Sequence, residues 1–278
     1  MEVLGFWDMI WGFWASPANP LALSTATAAS VPGPRAPSPE VAKALDVVLD
    51  KNITKSKAAV ALRLIFHDAG TYNLVGGDGG LNASIRFELD RPENKGLKRG
   101  WRLIEQMNDD LKGTAAEGKV SLADLVALAG SRAVSVCGGP VIPMTVGRVD
   151  ATAASGDPVD RMPGETFNIE QLKASFLSKG LSIQEMVILS GAHTLGSKGF
   201  GDPVTFDNNY YTSLLKRPWL DTKESMASMI GLPSDHVLPD DEECLKYINM
   251  YALDQPLFFT DFTAAYGKLA SLGAVWAA

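Results

Sequence analysis

The stretch Ser182-Ile-Gln-Glu-Met-Val-Ile-Leu-Ser-Gly-Ala-His193-Thr-Leu-Gly196 decides the fold, because it carries the signals of a complete short helix beside a histidine. Ser182 and Glu185 have the spacing of a capping box, and the closing glycine is a stop signal. Gly191 and the alanine after it leave room beside the imidazole for a flat, bulky group. The pattern therefore suits an axial ligand.

The alternative is a core histidine satisfied by a backbone carbonyl, the commoner role of a single histidine on a helix. The chain has only three histidines, and His67 lies on a second helical pattern. Arg63 stands one turn before it and Phe66 beside it, so three chemically distinct side chains project from one helical face. A buried cation beside an imidazole needs an anionic or polarisable guest.

Composition limits the class of protein. The 278 residues are 46% apolar, which is ample for the core of one large domain or two small ones. The net charge of -7 and the absence of a long Lys/Arg run exclude nucleic acid as the expected partner and favour a small substrate. Cys137 and Cys244 form neither a disulfide framework nor a zinc-spaced cluster.

The first 38 residues differ from the rest. Val3 to Trp14 is apolar but contains Asp8, and it is shorter than the roughly 20 residues that span a bilayer, so no membrane span is expected. The following Ala, Ser, Thr and Pro-rich run suits either a transit peptide or a disordered extension. The main domain is expected at 39–278. Its segments have helical spacing, with no internal repeat and no alternating strand pattern, which predicts an all-α architecture.

Two motifs in this order, Leu62-Arg63-Leu-Ile-Phe66-His67 and Leu189-Ser-Gly-Ala-His193-Thr-Leu-Gly196, resemble the plant, fungal and bacterial haem peroxidase superfamily. The resemblance covers Val41 to Trp276. It is closest to the ascorbate peroxidase branch, and within it to the ascorbate peroxidase-related proteins. It implies a haem peroxidase fold in which helical lobes sandwich one haem b.

The resemblance also implies roles for the two histidine motifs. His193 matches the proximal ligand of the haem iron, and Asp235 matches the carboxylate that accepts its other N–H. On the opposite face His67 matches the acid–base group that moves the peroxide proton, while Arg63 stabilises the developing charge. Phe66 lies against the cofactor where the ascorbate branch usually has tryptophan.

Two further residues match the network behind His67. Asn94 matches the acceptor of its Nδ1 proton, and Glu88 the carboxylate behind that asparagine. Without the histidine motifs, the preferred interpretation is a turn residue for Asn94 and a solvated charge for Glu88.

Cation sites are less well marked. Thr194 and Asp207 match two ligands of a proximal K⁺ or Ca²⁺, with a helix-end hydroxyl and a turn aspartate as the alternative. Asp68 and Ser84 fall where secreted peroxidases bind distal calcium, but Asn82 replaces an expected carboxylate, which argues against that site.

The connection Ser197-Lys-Gly-Phe-Gly-Asp-Pro-Val204 is shorter than in ascorbate peroxidases and lacks their ascorbate-binding arginine and proximal tryptophan. Phe200 is expected to fill part of that space, whereas Trp219 lies too far along the chain. Lys55 matches a lysine near the ascorbate site. Ascorbate is therefore expected to be a poor reductant.

The predicted protein is a peroxidase that reduces hydrogen peroxide with a small reductant, in peroxide detoxification and the response to oxidative stress. The alternative is a haem-free family member that serves as a binding or assembly protein. The resemblance implies an intracellular location in the chloroplast, with the cytoplasm as the alternative. The residues leave the oligomeric state open.

Overall fold

Helices account for almost all the regular structure in the described part of this chain. The computed structural model describes residues 33–155, 161–221 and 228–277, so most of the N-terminal extension predicted at 1–38 lies outside the described residues. The α-helices are α1 Pro39–Asn52, α2 Lys55–Ala69, α3 Lys98–Asp110, α4 Leu122–Val136, α5 Ile169–Leu177, α6 Ile183–Ser190, α7 Asn209–Leu214, α8 Pro233–His236, α9 Glu242–Leu253 and α10 Gln255–Leu269. Short 3₁₀ turns lie at Ser84–Phe87, Pro92–Asn94, Gly191–Thr194 and Leu238–Asp240.

The all-α prediction is confirmed, with one small addition. Strands β1 (Leu220–Asp221) and β2 (Ser228–Met229) form an antiparallel pair in which Leu220 is opposite Met229. Two residues per strand are too few to show the alternation by which a strand is recognised in a sequence. The pair leaves the helical architecture unchanged.

The capping signals in the sequence place the helix starts. Ser121 and Asp124 form a capping box at the start of α4, and Ser182 and Glu185 form one at the start of α6. Helix α1 begins at Pro39 after the capping residue Ser38. None of the described helices is long and apolar enough to cross a membrane.

Helices α2, α4 and α10 meet closely in the core. A Cβ on Gly130 of α4 would lie 2.8 Å from Ile65 of α2 and 2.2 Å from the Tyr266 hydroxyl of α10. That hydroxyl donates to Ala127 O at 2.7 Å. Only glycine lets the three helices approach this closely, and the contact fixes α2, which carries Arg63 and His67.

Helix α6 gives way to a 3₁₀ turn before it reaches His193. Its last α-helical residue is Ser190, and Gly191–Thr194 continues as 3₁₀ helix, so the stop comes earlier than the glycine at 196 predicts. The Tyr211 hydroxyl lies 3.2 Å from the carbonyl oxygens of both Val187 and Ile188 and caps the end of α6. His193 therefore lies on a tight turn whose position is fixed by the aromatic core.

Candidate functional site

The His67 imidazole is held in one tautomer from both sides. Arginine can only donate, so the 3.1 Å contact between Arg63 Nε and His67 Nε2 leaves Nε2 as the acceptor. On the other side His67 Nδ1 lies 2.9 Å from Asn94 Oδ1 and donates to it. The ring is thus neutral, and Nε2 is unprotonated and accepts from Arg63.

The Asn94 side chain is oriented by a second contact. It is 2% exposed, and its Nδ2 donates to the backbone oxygen of Glu88 at 2.9 Å. This contact makes Oδ1 the atom that faces His67.

The structure differs here from the sequence expectation for Glu88, which put its carboxylate behind the asparagine. That carboxylate instead accepts from Ser155 N–H and Oγ–H and from Arg91 Nη1. The backbone oxygen of Glu88 therefore orients Asn94, which contacts His67. The buried carboxylate of Glu88 instead holds the loop at Ser155.

Burial and the neighbouring Arg63 charge together lower the pKa of His67 to about 4, although the hydrogen bond to Asn94 opposes them. The imidazole is therefore neutral at physiological pH. A neutral imidazole with an unprotonated Nε2 can act as a proton acceptor.

The Arg63 guanidinium is anchored while its side chain stays accessible. Nη1 donates to Lys95 O at 2.8 Å, and Nη2 donates to Glu93 O at 2.9 Å. Both carbonyls flank Asn94 in the same segment, so the arginine and the asparagine are positioned by one loop. Arg63 is nevertheless exposed.

His193 has a carboxylate partner. Because a carboxylate only accepts, His193 Nδ1 donates to Asp235 Oδ1 at 2.8 Å. Asp235 is 2% exposed and also accepts from the Tyr210 hydroxyl at 2.9 Å and from Leu232 N–H at 2.8 Å. The sequence alone does not identify Tyr210 as a partner of Asp235, because the tyrosine lies 25 positions earlier in the chain and no motif links the two.

Electrostatics favours a basic His193. Burial depresses its pKa, but the charge and hydrogen bond of Asp235 outweigh burial, so that the pKa is raised. For Asp235, burial raises the pKa, but the charge and hydrogen bond of His193 outweigh burial and bring the pKa below its ordinary value. The pair is therefore polarised toward an electron-rich imidazole.

The His193 ring lines an internal recess. Burial among the surrounding protein atoms is the largest influence on the pKa of His193, yet 40% of its side-chain surface is accessible. The charge of Glu165 acts on the pKa of both His193 and Arg63, so both groups lie within electrostatic range of one carboxylate. Nε2 of His193 has no protein partner within the described residues.

Gly191 has a different role from the one that the sequence indicates. A Cβ there would lie 2.4 Å from the Tyr211 hydroxyl and 2.9 Å from Phe258. The glycine therefore admits these core aromatic rings. Ala192 is half-buried.

An aromatic ring lies beside each histidine: Phe66 beside His67 and Tyr210 beside His193. Phe66 packs beside His67 and against Phe176, with ring centroids 6.0 Å apart in the second pair. Phe200 is 1% exposed and lies edge to face with Tyr210 at 4.7 Å. It thus packs on the ring that contacts Asp235.

Trp219 lies nearer to this side than its place in the chain indicates. Its ring stacks on His236 at 4.1 Å, and His236 follows Asp235 directly. The side chain is half-buried and donates from Nε1 to Leu214 O.

The predicted cation ligands have protein partners. Thr194 Oγ1 donates to Asp207 Oδ1 at 2.8 Å, so the structure brings this pair together. Asp68 accepts from the backbone N–H groups of Asn82, Ala83 and Ile85. The buried Asp68 carboxylate is thus held by three backbone donors.

Comparison with known proteins gives consistent matches. The family model described as Peroxidase matches residues 40–254. A protein named putative L-ascorbate peroxidase 6, from Arabidopsis thaliana, is 52% identical over 229 residues, which are 81% of this chain and 67% of that protein. L-ascorbate peroxidase 5, peroxisomal, also from Arabidopsis thaliana, is 37% identical over 232 residues, 79% of this chain and 77% of that protein. A mitochondrial cytochrome c peroxidase of Cryptococcus neoformans is 35% identical over 240 residues, 78% of this chain and 62% of that protein.

Proposed function

Because the chain belongs to the peroxidase family, on its ascorbate peroxidase branch, and is an oxidoreductase that acts on hydrogen peroxide, we propose that it uses one haem b to reduce peroxide to two waters with two electrons from a small reductant. Its role is peroxide detoxification in the response to oxidative stress. The observation that carries the proposal is the neutral His67, held by Arg63 and Asn94 with Nε2 as the acceptor.

The residues present fit a haem group. His193 Nδ1–H is engaged by Asp235, which leaves Nε2 as the ligating atom, and the ring has accessible surface in an internal recess. A histidine that binds metal typically donates its other N–H to a carboxylate in this way. In this proposal His193 and Asp235 hold the haem, with Phe66 on the side of His67.

The protein residues manage the proton and the charge of the reaction. When bound, haem supplies the oxidising chemistry and the one-electron steps. His67 Nε2 takes the proton from one peroxide oxygen and returns it to the other, which leaves as water. Arg63 stabilises the negative charge that develops as the O–O bond breaks. For this step peroxide displaces the Arg63 Nε–H from the His67 Nε2 electron pair.

We further propose that ascorbate is a poor reductant. The Ser197–Val204 connection contains no arginine, and an arginine contact supplies charge-assisted hydrogen bonds worth about 1.5–3 kcal/mol each. Its absence is expected to weaken productive ascorbate binding by roughly one to two decades. Lys55 offsets only part of this loss, because a mobile ammonium orients a substrate less well.

The test of this preference is steady-state turnover with ascorbate and with guaiacol, at equal peroxide and known haem occupancy. Guaiacol is neutral and needs no arginine. A clear preference for ascorbate would show that another part of the chain supplies the missing contact.

A proximal cation is also proposed, K⁺ or Ca²⁺, at Thr194 and Asp207. Their side chains lie 2.8 Å apart, which supports a shared site. The measurement is the thermal unfolding of the haem-loaded protein with K⁺, with Ca²⁺ and with chelator. A melting temperature independent of both ions contradicts the site.

For location we propose the interior of the cell, in the chloroplast, on the strength of the family resemblance and the Ser/Thr-rich start of the chain. Relatives carry the words peroxisomal and mitochondrial in their names, which makes those compartments the competing outcomes. A fluorescent fusion to the C-terminal end of the full chain distinguishes them.

The test of the proposed function as a whole is the absorption spectrum of the protein expressed with adequate haem supply. We expect a Soret band that shifts when peroxide is added. A protein that folds but takes up no haem would instead be the haem-free binding or assembly protein of the alternative hypothesis.

A further inference from the structure

One face of α2 leads from the end of the helix to the proposed proton acceptor. Lys55, Ala59, Arg63 and His67 repeat at intervals of four residues and so lie on one side of the helix. Each of the four retains accessible surface, whereas Ala58, which borders this row, is buried. Lys55 thus stands three turns from His67 along the accessible row.

The connection that follows His193 closes against the same row. A Cβ on Gly196 would lie 3.4 Å from the Cβ of Ala59, so Gly196 packs on α2. Gly196 N–H donates to Pro203 O at 2.9 Å, which brings the far end of the connection back to this contact. Asp202, the residue before Pro203, is thereby placed near Lys55, one turn from Ala59.

The Asp202 carboxylate is exposed but has a fixed orientation. It accepts from Thr205 Oγ1 at 2.7 Å and from Val204 N–H at 3.3 Å. These hydrogen bonds lower its pKa, and the charge of Lys55 adds to the effect. Asp202 is therefore a carboxylate at neutral pH.

Lys55 and Asp202 are close without forming a salt bridge. Lys55 forms no ion pair within the described part of the chain, and its ammonium is exposed. Both charges act on the pKa of the Cys137 thiol. Burial raises this pKa, the charge of Lys55 lowers it and the charge of Asp202 raises it. A reductant that approaches along this accessible row of α2 therefore meets one positive and one negative charge instead of a cationic site.

We propose that Asp202 is a specificity-determining residue: its carboxylate offsets Lys55 at this end of the accessible row on α2, disfavours anionic reductants and leaves neutral phenolic donors as the preferred class. The inference rests on the proposed function and names the group that selects its reductant. It differs from the argument about the missing arginine, because here a residue that is present acts against anions.

The test is Asp202→Asn in the haem-loaded protein. The amide oxygen retains an acceptor in this turn while the charge is removed. Charge pairs at exposed sites change free energies only modestly, so we expect the ratio of kcat/KM for ascorbate to that for guaiacol to rise about twofold to fivefold at low ionic strength. The gain is expected to shrink at about 0.5 M salt, because screening shortens the reach of exposed charges.

Asp109→Asn is the matched control. Asp109 is an exposed aspartate on α3 that pairs with Lys112, and its substitution makes the same change in net charge. We expect its ratio to equal that of the wild type. Lys55→Gln is expected to move the ratio in the opposite direction from Asp202→Asn.

A binding measurement accompanies turnover. The haem spectrum is titrated with ascorbate and with guaiacol in the absence of peroxide, and Asp202→Asn is expected to lower the dissociation constant for ascorbate by the same factor. A normal Soret band and peroxide response with an unchanged ratio and an unchanged ascorbate affinity overturn the role of Asp202. Failure of the wild type to bind haem would instead overturn the proposed function.

Discussion

Replacing Asp235 with asparagine removes the charge behind His193 with almost no change in shape. In the wild type Oδ1 accepts from His193 Nδ1 and Tyr210, and Oδ2 accepts from Leu232 N–H. If the asparagine oxygen keeps the first two donors, its Nδ2–H₂ faces the amide of Leu232. A donor then faces a donor at a site that is 2% exposed.

The magnitude follows from that geometry. One buried N–H loses its acceptor, and two bonds to a charged acceptor become bonds to a neutral one. The first loss costs about 1–3 kcal/mol in the free energy of unfolding. Loss of the carboxylate partner of a metal-bound histidine typically costs about 10- to 100-fold in metal affinity or activity.

Tyr210→Phe is the matched control, because it removes one hydrogen bond to the same oxygen and leaves the charge in place. The assays are urea unfolding and the transfer of haem to an excess of apomyoglobin. Both variants are expected to be less stable than the wild type, but only Asp235→Asn is expected to release haem at least tenfold faster. Equal release rates in the two variants would refute the reasoning that the charge holds the cofactor.

Three further predictions concern other residues. His193→Ala is expected to abolish the native haem spectrum, and a variant with normal haem content would mean that another residue is the ligand. The rate constant for reaction with peroxide is expected to be constant at neutral pH and to fall to half near the His67 pKa of about 4, because protonation of Nε2 removes the base. A midpoint near pH 6.5, the ordinary pKa of histidine, would contradict the strong influence of burial on this pKa. Gly191→Ala is expected to lower the free energy of unfolding by about 1–3 kcal/mol in a urea titration, because its Cβ would collide with Tyr211. The control is Gly267→Ala, where no atom lies within 4 Å of the added Cβ; it is expected to stabilise α10 by up to about 1 kcal/mol.

Local signals in the sequence were sufficient for the helices that carry the site. Ser182 with Glu185, and Ser121 with Asp124, satisfy backbone donors within one turn, so the residues themselves mark these starts. Arg63 and His67 were placed on one face by their spacing alone. Asn168 and Gln171 carry the same kind of signal and form the capping box of α5.

What the sequence could not supply are contacts between distant segments. Tyr210 and Asp235, or Glu88 and Ser155, are joined only by the folded chain, and no periodicity relates them. The family resemblance pointed to the Glu88 carboxylate, whereas the structure uses its backbone oxygen, because a motif match gives the residue and not the atom. Similarly, a small residue in a sequence does not show which neighbour needs the space, and at Gly191 the neighbours are Tyr211 and Phe258.

The proposed proton transfer by His67 is tested by the bimolecular rate constant of the haem-loaded protein with hydrogen peroxide, measured by stopped-flow absorption at the Soret band. We expect His67→Leu to retain haem and to react about 10²–10⁴ times more slowly than the wild type, the usual cost of losing a positioned acid–base group. A His67→Leu variant with the wild-type rate constant would contradict the account.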